Sequence, residues 1–253
     1  MLEGLDSLRF KMNRLINRKV SGLANAFYGM MRPAPADRLF SKSPKMVFIW
    51  TPKTAGSSVF RFLNAGLGMR KLKTTNLAMS FRNCGSVTFG HIHDLSLLKF
   101  GIVSGDYHDR AFKFSFVRNP YARVASLYNY STRRDLLDGD GFDKFLDRVF
   151  LRPPVGMYNR VGLSQTNPQT DWLIGETGDL LADRIFRVEA FDEFSRYFND
   201  KYGLNFDASE RHNASTPVIT VDDILGNRER TEKVNAIYAR DFDLLGYEKV
   251  DPQ

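Results

Sequence analysis

Lys45–Leu63, KMVFIWTPKTAGSSVFRFL, sets the architecture of the whole chain. Its opening run, Met46-Val47-Phe48-Ile49-Trp50, is apolar and rich in β-branched and aromatic residues. A run of that kind, with no polar alternation, is how a strand buried on both faces of an α/β sheet reads. Small and polar residues follow, Thr51-Pro52-Lys53-Thr54-Ala55-Gly56-Ser57-Ser58, and then Val59, Phe60, Phe62, Leu63 and Leu67 recur at helical spacing. The order is strand, tight loop, helix. The first N–H groups of a helix lack intrahelical partners, and the helix start carries about half a unit of positive charge. Small residues let such donors approach an anion. Thr54, Ser57 and Ser58 add hydroxyls, and Lys53 adds a full charge. The stretch is predicted to cradle a phosphate-like group.

It is not a Walker A loop, in which the lysine follows the second glycine; here Lys53 precedes Gly56. An ordinary strand-to-helix turn with a solvated lysine is the bland alternative, and a second stretch argues against it. Ala111–Val117, AFKFSFV, is a strand by composition and runs into Arg118-Asn119-Pro120-Tyr121-Ala122-Arg123-Val124-Ala125-Ser126-Leu127-Tyr128. Pro120 suits the first turn of a helix, where its missing N–H does no harm. Arg118 then stands at the strand end and Ser126 two helical turns along. A bidentate guanidinium and a hydroxyl can grip one phosphate between them. Arg123 is expected to brace the loop or the helix rather than touch a ligand.

Further along, Ser86-Val87-Thr88-Phe89 reads as a short strand ending at Gly90-His91-Ile92-His93-Asp94. Strand ends are where α/β sheets place ligand chemistry, and an imidazole titrates near neutrality, which suits a general base. Arg184–Val188 is another strand, and Phe191, Phe194, Tyr197 and Phe198 mark an amphipathic helix packed on the sheet. Val234, Ile237, Tyr238, Phe242, Leu244 and Leu245 are read as one last helix of core residues. Between these, residues 131–168 carry few signals beyond turns at Gly139-Asp140-Gly141, Pro153-Pro154 and Asn167-Pro168. Segments that cover a substrate usually fall in such regions.

Several of these stretches carry a family resemblance, the two loops most sharply. Pro52–Ser58 after a strand resembles the 5′-phosphosulfate loop of sulfotransferases that use 3′-phosphoadenosine 5′-phosphosulfate (PAPS), in particular the carbohydrate-type group that includes the uronosyl 2-O-sulfotransferases. Arg118, seven residues and Ser126, with Asn119-Pro120 and Arg123 between, resembles their 3′-phosphate motif. The resemblance spans residues 45–248. It implies that Pro52, Lys53, Thr54, Ala55, Gly56, Ser57 and Ser58 hold the 5′-phosphosulfate and that Lys53 steadies the departing phosphate oxygen. Arg118 and Ser126 would clamp the 3′-phosphate. Gly90-His91 through Lys99-Phe100-Gly101 resembles the group's catalytic-histidine segment, with His91 at the base position and Phe89 where the group has another histidine. His93 would support the base or bind the acceptor. His212-Asn213-Ala214-Ser215 resembles an Asn-x-Ser loop near the nucleotide, which makes Ser215 a nucleotide contact. Arg187-Val188-Glu189 resembles the group's Arg-Phe-Glu, read here as an ion pair or cap. Gln169–Leu173 and Tyr238–Phe242 with Gly246-Tyr247 resemble further segments, to which no chemistry is assigned.

The chain has 253 residues, 43% hydrophobic and 26% charged, an ordinary globular composition long enough for a sizeable core. The net charge of +7 favours an acidic partner. Residues 1–38 hold seven Lys/Arg against Glu3, Asp6 and Asp37, so the excess is concentrated there and no nucleic-acid-coating surface is required. Leu2, Leu5, Leu8, Met12, Leu15 and Ile16 recur at helical steps opposite a basic face. A helix lying on anionic lipid, as a peripheral membrane contact, is one reading; packing on the domain edge or on a second subunit is the favoured one. With Cys84 the single cysteine, no intrachain disulfide can form, which fits a reducing compartment. No apolar run reaches the ~20 residues of a membrane span, and Arg9, Lys11 and Arg14 interrupt any signal-peptide core. A bacterial cytoplasmic enzyme is the simplest reading; a chain whose N-terminal anchor has been removed is the alternative.

The expected fold is therefore α/β, a P-loop-like three-layer domain over 39–253 with a mostly parallel central sheet and helices on both faces, preceded by a basic amphipathic helical segment over 1–38. The expected activity is transfer of the sulfuryl group of PAPS to a carbohydrate hydroxyl, with PAP as product and no metal. Arg133 and Arg134, after the second loop's helix, are candidates for an anionic oligo- or polysaccharide or glycolipid acceptor. A lipid or small-molecule hydroxyl remains open as acceptor. The competing classes are a nucleotide-dependent kinase, disfavoured by the missing Walker A sequence, and a non-catalytic binder of anionic surfaces.

Overall fold

The computed structural model describes residues 46–67, 93–99, 103–151, 163, 165–205 and 216–252. Among these, the strands β1 (Met46–Ile49), β2 (Phe112–Val117) and β3 (Arg184–Arg187) form one parallel sheet in the order β1-β2-β3. Met46 pairs with Phe112 and Phe114 with Arg184, so β2 is the central strand. Helix α1 (Gly56–Leu67) follows β1, and the short α2 (Asp94–Lys99) and α3 (Gly105–Arg110) precede β2. Next come α4 (Pro120–Arg133), α5 (Phe142–Leu151) and α6 (Thr170–Leu173), with α7 (Phe191–Tyr202) after β3. Helices α8 (Val221–Leu225), α9 (Arg228–Ile237) and α10 (Ala239–Leu245) close the domain.

Alternation along each strand sorts the core into two layers. Met46, Phe48, Phe114, Phe116 and Phe186 face one side, under Val59, Phe62 and Leu63 of α1 and Phe191, Phe194 and Phe198 of α7. The Phe48 and Phe114 rings stack with centroids 5.1 Å apart, and Phe116 meets Phe194 edge-on at 4.9 Å. Val47, Ile49 and Val117 face the other side, under Leu97, Tyr107, Trp172 and Leu173. Helices on both faces of a parallel sheet are the expected α/β arrangement. A third cluster, built on Tyr121, Val124, Leu127 and Tyr128 of α4, packs α5 and α8–α10 beside the sheet.

Two sequence expectations need correction. The last helix is two helices, broken at Tyr238 (φ −109°, ψ 25°), and Leu244 is 61% exposed rather than core. At the bend the Tyr238 ring is buried and its hydroxyl donates to the Thr166 carbonyl (3.1 Å). The N-terminal helical segment over 1–38 and the strand over 86–89 lie outside the described residues. Among the described residues no helix is long and apolar enough to cross a membrane.

Candidate active site

The first loop is held from below before it offers anything above. The Thr51 N–H donates to the Ile49 carbonyl (3.0 Å), and the Ser115 hydroxyl of the neighbouring strand donates to that same carbonyl (2.7 Å). Lys53 (φ 67°) and Ala55 (φ 59°) then adopt left-handed backbone conformations. For residues with a Cβ each costs about 1–3 kcal/mol and persists only where the surroundings enforce it. They do so here at three points. The Thr54 hydroxyl, fully buried, donates to the Thr51 carbonyl (2.8 Å). Arg123, 1% exposed, donates from Nε to the Pro52 carbonyl (3.0 Å) and from Nη2 to the carbonyls of Gln165 and Asn167 (2.8 and 3.0 Å). The Trp50 indole lies against Gly56. Helix α1 takes over where the Ser58 and Val59 N–H groups donate to the Ala55 carbonyl (2.9 and 3.2 Å). The N–H groups of residues 53–57 have no partner among the described residues.

Gly56 thus has a different reason from the one its sequence suggests. A Cβ there would come within 1.7 Å of Trp50 Nε1. The Trp50 ring is itself stacked on Phe60, centroids 6.3 Å apart, and cannot retreat without unstacking. Gly56→Ala is expected to destabilise the domain by about 1–3 kcal/mol, read as a lowered urea midpoint with an unchanged m-value.

The second loop arrives at the same sheet edge because β1 and β2 are parallel neighbours. Asn119 caps α4, its side-chain oxygen accepting the Tyr121 N–H (3.0 Å). On α4, Arg123, Ser126, Tyr130 and Arg133 recur at steps of three, four and three, which places them on one face. Arg123 grips the first loop, and Lys53 Nζ sits 4.2 Å from the centroid of the Tyr130 ring. Ser126, half-buried, lies between those two contacts on the same stripe. The Arg134 guanidinium carbon lies 5.7 Å from the same Tyr130 centroid.

Burial, and then the neighbouring Arg133 and Arg118 guanidinium groups, hold the Lys53 ammonium down at about 8. Burial also lowers Arg118, opposed by the charge of Glu189. That glutamate is committed elsewhere: it accepts the Asn119 N–H (2.8 Å) and the Tyr247 hydroxyl (3.1 Å). Among the described residues no carboxylate forms an ion pair with Lys53 or Arg118. A partly buried lysine whose charge is disfavoured by two neighbouring guanidinium groups, beside helix-start N–H groups with no partner among the described residues, is an arrangement suited to binding an anion.

The other expected site residues fall as follows. Ser57 is exposed and Ser58 half-buried in the first turn of α1. The Thr54 hydroxyl closes the loop instead of reaching outward, and Pro52 contributes the carbonyl that anchors Arg123. Arg133 and Arg134 are exposed at the end of α4, beside Lys53 and Tyr130. The structure does not support His93 at an acceptor. It is buried, its Nδ1 accepts the Leu95 N–H (3.3 Å), and its Nε2 faces the Ile174 carbonyl (3.2 Å). Both nitrogens are engaged inside the fold, and burial lowers its pKa, so it is a neutral brace at the start of α2. His91 and Ser215 lie outside the described residues. Sequence reasoning missed Tyr130, although its position four residues after Ser126 marks it as the next residue on the same helix face. It also gave no role to Gln169, whose side chain bonds the backbone of Arg118.

A sulfotransferase-family model matches residues 37–216, which include both loops, β1 to β3 and the helices between them. No curated protein and no solved structure matches the chain. With a family match over most of its length and two cationic loops side by side at the sheet edge, this chain belongs to the sulfotransferase family and is an enzyme that transfers a sulfuryl group.

Proposed function

We propose that the enzyme transfers the sulfuryl group of PAPS to a hydroxyl of a carbohydrate acceptor. The observation that carries this reading is the pairing of Lys53 and Arg118, two cations on adjacent loops with no carboxylate ion pair among the described residues, close enough that Arg118 depresses Lys53. PAPS has an anion at each end of its ribose and asks for two such grips. Lys53, the N–H groups of residues 54–57 and the hydroxyls of Ser57 and Ser58 hold the 5′ end. Arg118 and Ser126 hold the 3′-phosphate, and Ser215 adds a nucleotide contact. The donor supplies the sulfuryl group. The chain supplies in-line alignment and cations where negative charge grows on the leaving oxygen. His91 takes the acceptor's proton.

Arg133 and Arg134, exposed beside Lys53, favour an acceptor that carries negative charge of its own. The assay is incubation with sulfur-labelled PAPS and a panel of neutral and acidic oligosaccharides, glycolipids and small alcohols. Label is expected in a saccharide, with acidic members ahead of neutral ones. Label only in lipids or small alcohols would replace the carbohydrate reading. Transfer from ATP in place of PAPS would replace the reaction.

A further inference from the structure

Arg118 is aimed through its backbone. It stands one residue past the end of β2, where the sheet ladder stops at the Val117–Arg187 pair. The fully buried side chain of Gln169 takes over the ladder's role. The Arg118 N–H donates to Gln169 Oε1 (2.8 Å), and Gln169 Nε2 donates to the Arg118 carbonyl (2.8 Å). One amide thus fixes both polar groups of the residue whose guanidinium must meet a phosphate.

Gln169 is fixed in turn. Asp241 of α10, also fully buried, accepts at Oδ2 from the Gln169 N–H (2.8 Å) and from Nε2 (3.2 Å). Its Oδ1 accepts from the Thr170 N–H (2.9 Å) and the Thr170 hydroxyl (3.0 Å). A buried carboxylate is costly unless well supplied with donors. Four donors make this one a fixed post, and among the described residues it reaches the strand end through Gln169. The bend at Tyr238 that splits the terminal helices is followed directly by α10, which carries Asp241. Asp241 lies beyond the residues the family model covers.

We propose that Gln169 and Asp241 are positioning residues that set the direction of Arg118 and thereby the enzyme's preference for nucleotides bearing a 3′-phosphate. The proposal rests on the PAPS reading above. Its test is calorimetric titration of the full chain with 3′,5′-adenosine bisphosphate and, separately, with 5′-AMP, which lacks the 3′-phosphate. Wild type is expected to prefer the bisphosphate. Gln169→Met removes both bonds to Arg118 and keeps the volume. It is expected to weaken the bisphosphate by about ten- to a hundredfold while leaving 5′-AMP unchanged. Gln169→Asn keeps an amide but stops one methylene short, and is expected to show the same selectivity with a smaller loss.

A wild type without the preference overturns the donor reading and the proposal with it. A wild-type preference that survives in the Gln169 variants overturns the proposal alone. So does an equal loss for both nucleotides, and so does failure of both variants to fold, since either assigns the network to stability only.

Discussion

Lys53→Ala is expected to lower kcat/KM for sulfuryl transfer by about 10²- to 10³-fold, the range seen when one donor to a developing charge is removed. The alanine variant is also expected to lose the pH dependence of donor binding that the native lysine imposes. Burial and two guanidinium neighbours hold the ammonium at about 8 in the free enzyme, against 10.5 for an ordinary lysine. Below pH 8 the charge is already in place and donor affinity is full. Above it, binding must first take up a proton, so log affinity falls with a slope approaching −1. Lys53→Arg, whose charge persists throughout, is expected to remove that break. The same shift has a stability consequence of opposite sense. The folded chain holds this proton less tightly than the unfolded chain does, so below pH 8 the charged lysine burdens the fold. The burden lifts as pH rises from about 8 toward 10.5. Lys53→Met is therefore expected to raise Tm at pH 7 while lowering transfer as much as Lys53→Ala does. A lower Tm, or a pH-independent wild type, would contradict the cationic-cluster reading.

The second large effect is expected at Arg118. If Arg118 makes the proposed bidentate, charge-assisted contact, Arg118→Ala is expected to lower affinity for 3′,5′-adenosine bisphosphate by on the order of 10²-fold. Affinity for 5′-AMP is expected to stay within about threefold, because the partner loop is held by Arg123, Thr54 and Trp50 rather than by Arg118. Arg118→Lys restores the charge without the planar fork, so only part of the loss should return. Calorimetry with the two nucleotides separates these cases. Equal weakening of both would mean that Arg118 supports the whole pocket and reads no particular phosphate.

The sheet could be read from the sequence because Met46–Ile49 is a continuous apolar run, as a strand buried on both faces requires, while Phe112–Val117 and Arg184–Arg187 keep aromatic and β-branched residues between polar ones. Once β1 and β2 are parallel neighbours, Lys53 and Arg118 must share an edge, so the meeting of the two loops also follows from local pattern. Gly56 shows where composition misleads: the same residue type serves close ligand approach or close packing, and only the position of Trp50 tells them apart. His93 shows it again, since a histidine two residues from the expected base is equally consistent with a helix-start brace. The support beneath Arg118 had no signature at all. A glutamine amide that continues a sheet ladder, and an aspartate 72 residues further on that fixes it, obey no periodicity. The bend at Tyr238 was hidden for a related reason, because apolar residues continue at helical spacing through it while the backbone does not.

The most direct measurement is a crystal structure of the full chain with 3′,5′-adenosine bisphosphate. One nucleotide per chain is expected, its 5′-phosphate at Lys53 and the N–H groups of residues 54–57 and its 3′-phosphate at Arg118 and Ser126. Two nucleotides, one on each loop, or one that leaves either loop empty, would contradict it.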